Sequence, residues 1–216
     1  MFSMKNIKKL SLLGVFAVVF AFTSCSDNTP EITSKVTNYP DVTINGDALV
    51  VLTEGTPYEE LGAVATAGSA ELDVVTEGTV GTAPGYYKVT YSATNSDGFP
   101  ATRTRTVIVM DDAPSALNLE GTFFRSGNAA NNVRISDRVY TNDNAGGLAH
   151  SPTNDPNFLS VTFYVYDDQH IYIPEQVTSS GITVESLQGD IVSNDNFKWV
   201  LAASSFYGTA VRNFVR

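Results

Sequence analysis

The chain has 216 residues, of which 43% are apolar and 17% are charged, and its 23 acidic and 13 basic residues give a net charge of −10. A chain this acidic lacks the basic surface by which proteins bind nucleic acid or anionic lipid headgroups. Its single cysteine excludes an internal disulfide, so packing and hydrogen bonds must stabilise the fold without one.

Residues 1–24 have the features of a bacterial lipoprotein signal peptide. Lys5, Lys8 and Lys9 precede an apolar run over residues 10–22. At about 13 residues this run is shorter than the roughly 20 that a membrane-spanning helix needs. Small residues lead to Cys25 in a pattern that resembles a lipobox, which predicts cleavage before Cys25 and lipidation of its thiol. The alternative is a plain signal peptide followed by an incidental free thiol.

The residues after the leader predict where the lipid anchor holds the protein. Ser26 directly follows the cysteine, as in outer-membrane lipoproteins, and Asp27 is the only acid at a position where surface lipoproteins of Bacteroidetes carry an acidic run. We therefore expect a lipid-anchored protein of the outer membrane that is exposed at the cell surface. Residues 25–38 comprise the lipidated cysteine and a flexible polar tether. Without the three leader lysines, 10 basic and 23 acidic residues leave a net charge of about −13.

Residues 39–112 alternate short apolar stretches with turns. Val42 and Ile44 alternate with polar residues, and Asn45-Gly46 is typical of a tight turn. Further strands are expected over residues 48–52, 62–67, 74–76, 86–93 and 104–110. Roughly seven short strands in about 75 residues are typical of an immunoglobulin-like β-sandwich.

Three segments carry a family resemblance. Residues 57–63 (PYEELGA), 85–93 (GYYKVTYSA) and 105–109 (RTVIV) resemble the bacterial Ig-like module found on insecticidal crystal toxins and on many Bacteroidetes surface proteins. The resemblance covers residues 39–112. It implies a spacer or accessory domain that brings no catalytic residues.

A second β-rich domain is expected over residues 117–216, after a polar joint with a proline at residues 111–115. Val161, Phe163 and Val165 alternate with polar and aromatic residues and, with Ile171 and Ile173, predict a hairpin. Residues 197–201 and 211–215 predict two more strands. The predicted fold class is therefore all-β: an N-terminal Ig-like β-sandwich followed by a second, antiparallel β-rich domain.

The second domain also carries a resemblance. An early Gly-x-Phe-x-Arg strand at residues 121–125 and the segments 140–147, 171–174 and 212–216 resemble a C-terminal domain of unknown function in Bacteroidetes lipoproteins with an Ig-like module. Such lipoproteins are typically encoded beside outer-membrane importers and glycan-capturing lipoproteins. The resemblance implies a role in the capture of a polysaccharide or glycoprotein.

The sequence offers little for catalysis or metal binding. His150 and His170 are the only histidines, and neither has the surroundings of a catalytic triad or enough partners for a zinc site. The acids lie mostly in turns, where they are ordinary residues, although a pair of carboxylates for glycoside hydrolysis is the enzymatic alternative. The Asn/Asp runs at residues 142–144 and 194–196 could hold calcium but are more typical of turns. We expect no enzyme, no catalytic residue, no metal and no cofactor.

Aromatic side chains are the candidate ligand-binding residues, because sugars stack their apolar faces on aromatic rings. Tyr164, Tyr166 and Tyr172 lie on the strand face opposite the apolar one and form a first candidate platform. Trp199, Phe206 and Tyr207 form a second. The alternative is that a second sheet covers these rings and makes them part of the core.

The functional expectation combines the anchor, the fold and the aromatic residues. It is a noncatalytic lipoprotein that captures a polysaccharide or other glycan at the cell surface in a polysaccharide-utilisation system. The alternative is a structural or protein-interaction lipoprotein that docks to an outer-membrane importer complex or to a host protein. Nucleic acid is not an expected partner.

Overall fold

The computed structural model describes residues 36–151 and 155–216, so the expected leader, Cys25 and most of the tether lie outside the described residues. Sixteen strands and one 3-10 turn (Asp155–Asn157) form the regular structure of this part of the chain, which confirms the all-β expectation. Within the same residues no helix has the length and apolar character needed to cross a membrane.

Seven strands form the two sheets of a sandwich. One sheet has the order β1–β3–β4, with β1 (Asp41–Ile44), β3 (Ala63–Ala67) and β4 (Ala70–Leu72). The other has the order β2–β7–β6–β5, with β2 (Leu49–Thr53), β7 (Pro100–Met110), β6 (Gly85–Thr94) and β5 (Val75–Glu77). β2 pairs with β7 in parallel, and the other pairs are antiparallel. The predicted Ig-like sandwich is therefore present.

The core of the sandwich contains a buried arginine. Arg105 donates from Nη1 to the hydroxyl of Tyr91 at 2.8 Å and to the carboxylate of Glu60 at 3.0 Å. Burial would raise the pKa of Glu60, but hydrogen bonds from Tyr91, Gly62 and Tyr58 and the charge of Arg105 lower it below its ordinary value. The predicted inward face of β6 holds here, because Val89, Tyr91 and Ala93 are all buried.

Eight of the remaining nine strands close into an antiparallel barrel. Around the barrel the order is β12–β11–β10–β9–β8–β16–β15–β14, and β14 pairs with β12 to close it. The strands are β8 (Gly121–Arg125), β9 (Asn128–Ser136), β10 (Val139–Asn142), β11 (Val161–Asp167), β12 (His170–Tyr172), β14 (Thr183–Ser193), β15 (Asn196–Ala202) and β16 (Arg212–Val215). The short β13 (Gln176–Val177) pairs with β14.

Alternation along the barrel strands places one set of side chains inside. Val161, Phe163 and Val165 of β11 point into the barrel as the sequence predicts, and all three are buried. The centre is aromatic and consists of Phe123, Phe163, Phe197, Trp199 and Phe214. Ring centroids lie 4.8–6.3 Å apart across these contacts, within the range of favourable aromatic pairs.

The sandwich packs directly on the barrel. The backbone N–H of Asp111 donates to the carbonyl of Tyr166 at 2.8 Å, which ties the end of the sandwich to β11. Arg138 lies 3.4 Å from the carboxylate of Asp111 and 3.0 Å from that of Asp168. The expected division of the chain into domains at residues 112–117 stays a prediction about which parts fold independently.

Candidate functional site

A groove with aromatic walls lies where β6 of the sandwich meets the barrel strands β11, β12 and β14. We call it the sandwich–barrel groove. It has a volume of about 120 Å³ and is lined chiefly by Tyr86, Tyr166, His170, Tyr172, Gln188 and Asp190. Its lining combines aromatic rings with polar groups, as the lining of ligand pockets commonly does.

Stacked rings form the floor and one wall of the groove. The ring of Tyr86 lies parallel to that of Tyr172, with centroids 3.9 Å apart and an interplanar angle of 2°. Tyr166 meets Tyr86 edge to face at 6.3 Å and stacks on the imidazole of His170 at 5.4 Å. Tyr172 is 1% exposed and Tyr86 is 39% exposed, so Tyr86 presents aromatic surface and Tyr172 supports it from below.

The polar rim offers both donors and acceptors. Nδ1 of His170 lies 2.8 Å from both carboxylate oxygens of Asp167 and donates to this carboxylate, which holds the ring in one orientation. Gln188 donates from Nε2 to Asp190 at 2.9 Å, and Lys198 lies 3.6 Å from the same carboxylate. These groups have the hydrogen-bonding range to match sugar hydroxyls.

The closure of the barrel brings this rim together. His170 of β12 pairs with Asp190 of β14, the register that closes the sheet. Gly189 makes the approach possible, because a Cβ atom at this position would lie 2.4 Å from the carbonyl oxygen of Ile171. Residues 20 positions apart in the chain therefore lie side by side at the groove.

Both barrel tyrosines of the groove stay protonated over the physiological range. Burial raises the pKa of Tyr166 to about 12, with further contributions from Asp167, Tyr86 and Asp190. Burial also raises the pKa of Tyr172, whose hydroxyl donates to the carboxylate of Glu185. The phenol of Tyr166 is thus a neutral hydrogen-bonding group at the groove.

A charged pair beside the groove fixes the sandwich to the barrel. The Lys88 ammonium of β6 lies 2.6 Å from the Glu185 carboxylate of β14, which also accepts from Tyr172. The Glu185 side chain is 16% exposed and the Lys88 side chain is 44% exposed, so the carboxylate is shielded from water while the ammonium is not. Together with the Tyr86–Tyr172 stack, this pair holds the groove in one shape before any ligand arrives.

The first predicted platform does not form an open face of three tyrosines. The sandwich covers Tyr172 because Tyr86 stacks on it, whereas Tyr166 lines the groove and is half-buried. Tyr164 pairs with Tyr172 across the strands and is half-buried outside the groove lining. The ligand-binding role of Tyr166 stays a prediction, while Tyr172 is a supporting residue.

The second predicted platform is also divided. Trp199 is 1% exposed, belongs to the barrel core and donates from Nε1 to the carbonyl of Ala145 at 2.8 Å. Phe206 is 59% exposed and meets the buried ring of Tyr207 edge to face at 5.1 Å. The expected exposure is therefore wrong for Trp199, whose aromatic neighbours enclose it, and holds for Phe206.

Sequence reasoning missed Tyr86, Gln188 and Asp190 as groove residues and gave His170 no ligand role. Tyr86 lies on the face of β6 opposite the buried Val89 and Tyr91, and that face is the one that meets the barrel. No local pattern marks Gln188 or Asp190, since the long-range pairing of β12 with β14 places them beside His170. Alternation on β6 and β14 indicates the faces of these residues but not their partners.

The other residues considered for catalysis or metal binding have ordinary structural partners. His150 lies 3.5 Å from Asp155 at the surface. Asn142 and Asn144 are buried and use their amides to hold the turn, with Asn144 donating to the carbonyls of Ala129 and Leu148 at 2.9 Å. Glu54, Asp111 and Asp112 bring carboxylate oxygens within 4.8 Å of one another in the described part of the chain and are the group there that could hold a cation.

The sandwich matches a known family. Residues 42–109 match the family described as bacterial surface protein, Ig-like domain. No curated protein sequence matches the chain.

Solved structures give weaker likenesses. The lipoprotein BT2262 from Bacteroides thetaiotaomicron has 23% identity and a TM-score of 0.36, over 82% of this chain and 98% of that one. A structure of ZmpB from Clostridium perfringens with a catalytic domain and two further domains has 13% identity and a TM-score of 0.28, over 82% of this chain and 21% of that one. Scores this low do not establish a shared fold, so neither structure bears on function.

The family match fits a noncatalytic protein of the bacterial surface. That the module is of the crystal-toxin type, and that the C-terminal domain belongs to the family of unknown function, both stay predictions.

Proposed function

We propose that this protein is a noncatalytic lipoprotein, anchored in the outer membrane through Cys25 and exposed at the cell surface, that captures a glycan in the sandwich–barrel groove. The observation that carries the proposal is the groove itself, where Tyr86 and Tyr166 lie beside His170, Gln188 and Asp190. An Ig-like spacer next to a binding barrel suits a protein that holds its ligand site away from a membrane.

The chemistry of the groove favours a carbohydrate over an apolar ligand. Tyr86 offers a partly exposed ring on which the C–H face of a pyranose can stack. Asp190 accepts hydrogen bonds and Gln188 both donates and accepts them, as sugar hydroxyls require. At about 120 Å³ the groove is smaller than the roughly 300 Å³ of an ordinary small-molecule pocket, so it takes one sugar unit of a longer chain and leaves the rest in solvent.

The groove is preorganised, which favours binding. The Tyr86–Tyr172 stack, the Lys88–Glu185 pair and the Asp111–Tyr166 backbone bond connect the two sides of the groove. A ligand therefore orders few additional side chains when it binds, so less of its interaction free energy is lost to entropy. This smaller entropy cost on binding raises the affinity of the groove for a glycan.

The test measures binding of residues 26–216, without the lipid, to a panel of host and plant polysaccharides by affinity electrophoresis and calorimetry. Tyr166→Ala removes a groove ring, and Tyr39→Ala removes an exposed ring from the sandwich as the matched control. We expect one glycan class to bind, Tyr166→Ala to weaken its binding about tenfold or more, and Tyr39→Ala to leave it unchanged. Thermal unfolding of each variant verifies the fold.

A second candidate function, docking to a protein, is favoured by two exposed apolar pairs on the outside of the barrel. Phe124 and Val215 are cross-strand partners and are both 43% exposed. Val133 and Ile135 project from the same face of β9 and are also exposed. If no polysaccharide on a broad panel binds, cross-linking in intact outer membranes with Val133→Lys and Ile135→Lys as controls tests docking to an importer complex.

A further inference from the structure

Two arginines without a carboxylate partner meet at one end of the barrel. Arg125 at the end of β8 donates from Nη1 to the carbonyls of Gly146 and Gly147 at 3.0 and 3.4 Å. Arg212 at the start of β16 donates from Nη2 to the carbonyl of Tyr207 at 2.5 Å. The ring of Tyr207 packs against Gly146, where a Cβ atom would lie 2.6 Å from it, so the three side chains surround one loop.

The pairing of the other arginines makes this cluster unusual for so acidic a chain. In residues 36–151 and 155–216 the five remaining arginines each form an ion pair with Asp or Glu; they are Arg103, Arg105, Arg134, Arg138 and Arg216. Arg125 and Arg212 form none in the same residues, and both reach the loop at Gly146. Arg125 donates to the Gly146 carbonyl, and Arg212 lies 5.8 Å from the centroid of the Tyr207 ring that packs against Gly146. The two unneutralised guanidinium groups of the described chain are therefore neighbours.

Burial makes this positive charge unfavourable without an anion. Arg212 is 3% exposed, and its Nε is buried with no hydrogen-bond partner in the described residues. Tyr207 is 7% exposed, and its hydroxyl is likewise buried and unpaired. Burial, followed by the charge of Arg125, lowers the pKa of Arg212. Unpaired buried polar groups are rare in folded proteins, and a bound water or ion is one explanation for them.

Arg125 and Phe206 give a ligand access to the cluster. Nε and Nη2 of Arg125 donate no hydrogen bond to any described residue, and neither atom is fully buried, so both are at least partly accessible to a ligand. Phe206 projects beside Tyr207 and is 59% exposed. A guanidinium edge with two free donors matches the geometry of a carboxylate or sulfate group, and the phenyl ring matches the apolar face of a sugar.

We propose that Arg125, Arg212 and Phe206 form a second site, which binds the carboxylate or sulfate group of an acidic sugar. Arg125 contacts the anionic group, Arg212 adds a second positive charge from beneath, and Phe206 stacks on the sugar ring. The chain is acidic overall, so the positive charge that meets the anionic group is local to this pair of arginines. The site shares no lining residue with the sandwich–barrel groove and does not depend on its function.

The experiment compares acidic polysaccharides with neutral counterparts of the same backbone. Residues 26–216 are titrated with polygalacturonate and its fully methyl-esterified form, which tests carboxylate, and with dextran sulfate and dextran, which tests sulfate. We expect at least one acidic form to bind and its neutral counterpart to bind at least tenfold more weakly. Arg125→Gln should weaken the acidic interaction about tenfold or more, because a charge-assisted hydrogen bond is lost.

Matched variants separate a specific site from general charge attraction. Arg103→Gln removes the same charge from an exposed position on the sandwich and should leave binding unchanged. Phe206→Ala alters only an exposed side chain and should weaken binding without lowering thermal stability. Equal binding of acidic and neutral forms, or equal loss with Arg103→Gln and Arg125→Gln, would overturn the proposal. Tyr166→Ala should leave acidic binding intact, so failure of the groove and failure of this site give different results.

Discussion

Trp199 gives the sharpest test of the division between core and ligand surface, because sequence reasoning placed it at a ligand site and the structure encloses it. Its ring contacts Phe163, Phe197 and Phe214 at centroid distances of 4.9–5.6 Å. Trp199→Ala removes this packing, and such a substitution typically lowers the free energy of unfolding by about 3–5 kcal/mol. It also leaves the buried Ala145 carbonyl without its donor, which should lower the free energy of unfolding by about 1 kcal/mol more.

For a chain of this size a loss of about 5 kcal/mol corresponds to a fall in Tm of about 10–20 °C. Far-UV circular dichroism is the appropriate assay, since Trp199 is the only tryptophan and its removal also removes the fluorescence signal. Trp199→Phe should recover most of the packing but not the hydrogen bond, and Phe206→Ala should change Tm by about 1–2 °C at most, as an exposed control. A Trp199→Ala variant with unchanged Tm and lost glycan binding would refute the core assignment.

Three further predictions concern stability. Gly189→Ala should lower Tm and weaken glycan binding, because the new Cβ meets the Ile171 carbonyl at 2.4 Å; thermal melts and calorimetry check this. Burial raises the pKa of Glu60, but its hydrogen bonds, led by that from Tyr91, outweigh burial and lower the pKa in the folded protein. The contribution of the Glu60 carboxylate to the free energy of unfolding is therefore complete above its ordinary pKa of 4.5 and is lost as the pH falls through the lower folded value. Urea unfolding should therefore depend less on pH below 4.5 in Glu60→Gln. Tyr86→Ala should speed proteolysis at residues 112–116, measured by mass spectrometry against Tyr39→Ala.

The regular strands could be predicted because their cause is local. Val161, Phe163 and Val165 alternate in the sequence and point together into the barrel, and Val89, Tyr91 and Ala93 do the same in the sandwich. The core of each half follows from such patterns. The all-β class therefore follows from alternation along the sequence.

The closure of the barrel could not be predicted, because it depends on contacts between distant residues. The sequence around Gly189 carries no pattern that pairs β14 with β12, yet this pairing places Asp190 beside His170. The parallel pairing of β2 with β7 is hidden for the same reason, since alternation gives the face of a strand and not its neighbour.

The candidate site was found only in part, because one aromatic face is shared by two halves of the chain. Tyr172 was identified as an outward-facing ring, and it does lie outside the barrel core. Its partner Tyr86 lies 86 residues earlier and covers it. Alternation cannot distinguish a ring that meets solvent from one that meets another sheet, so the exposure of Tyr172 and Trp199 required the structure.

The most direct test of the central claim is the affinity of residues 26–216 and of Tyr166→Ala for the polysaccharide that binds best in the panel. If the sandwich–barrel groove captures a glycan, Tyr166→Ala should lose about tenfold or more in affinity while its far-UV spectrum remains that of the folded protein, and Tyr39→Ala should bind like the natural chain. Equal affinity of Tyr166→Ala and the natural chain for that polysaccharide would contradict the account, because the ligand would then bind elsewhere.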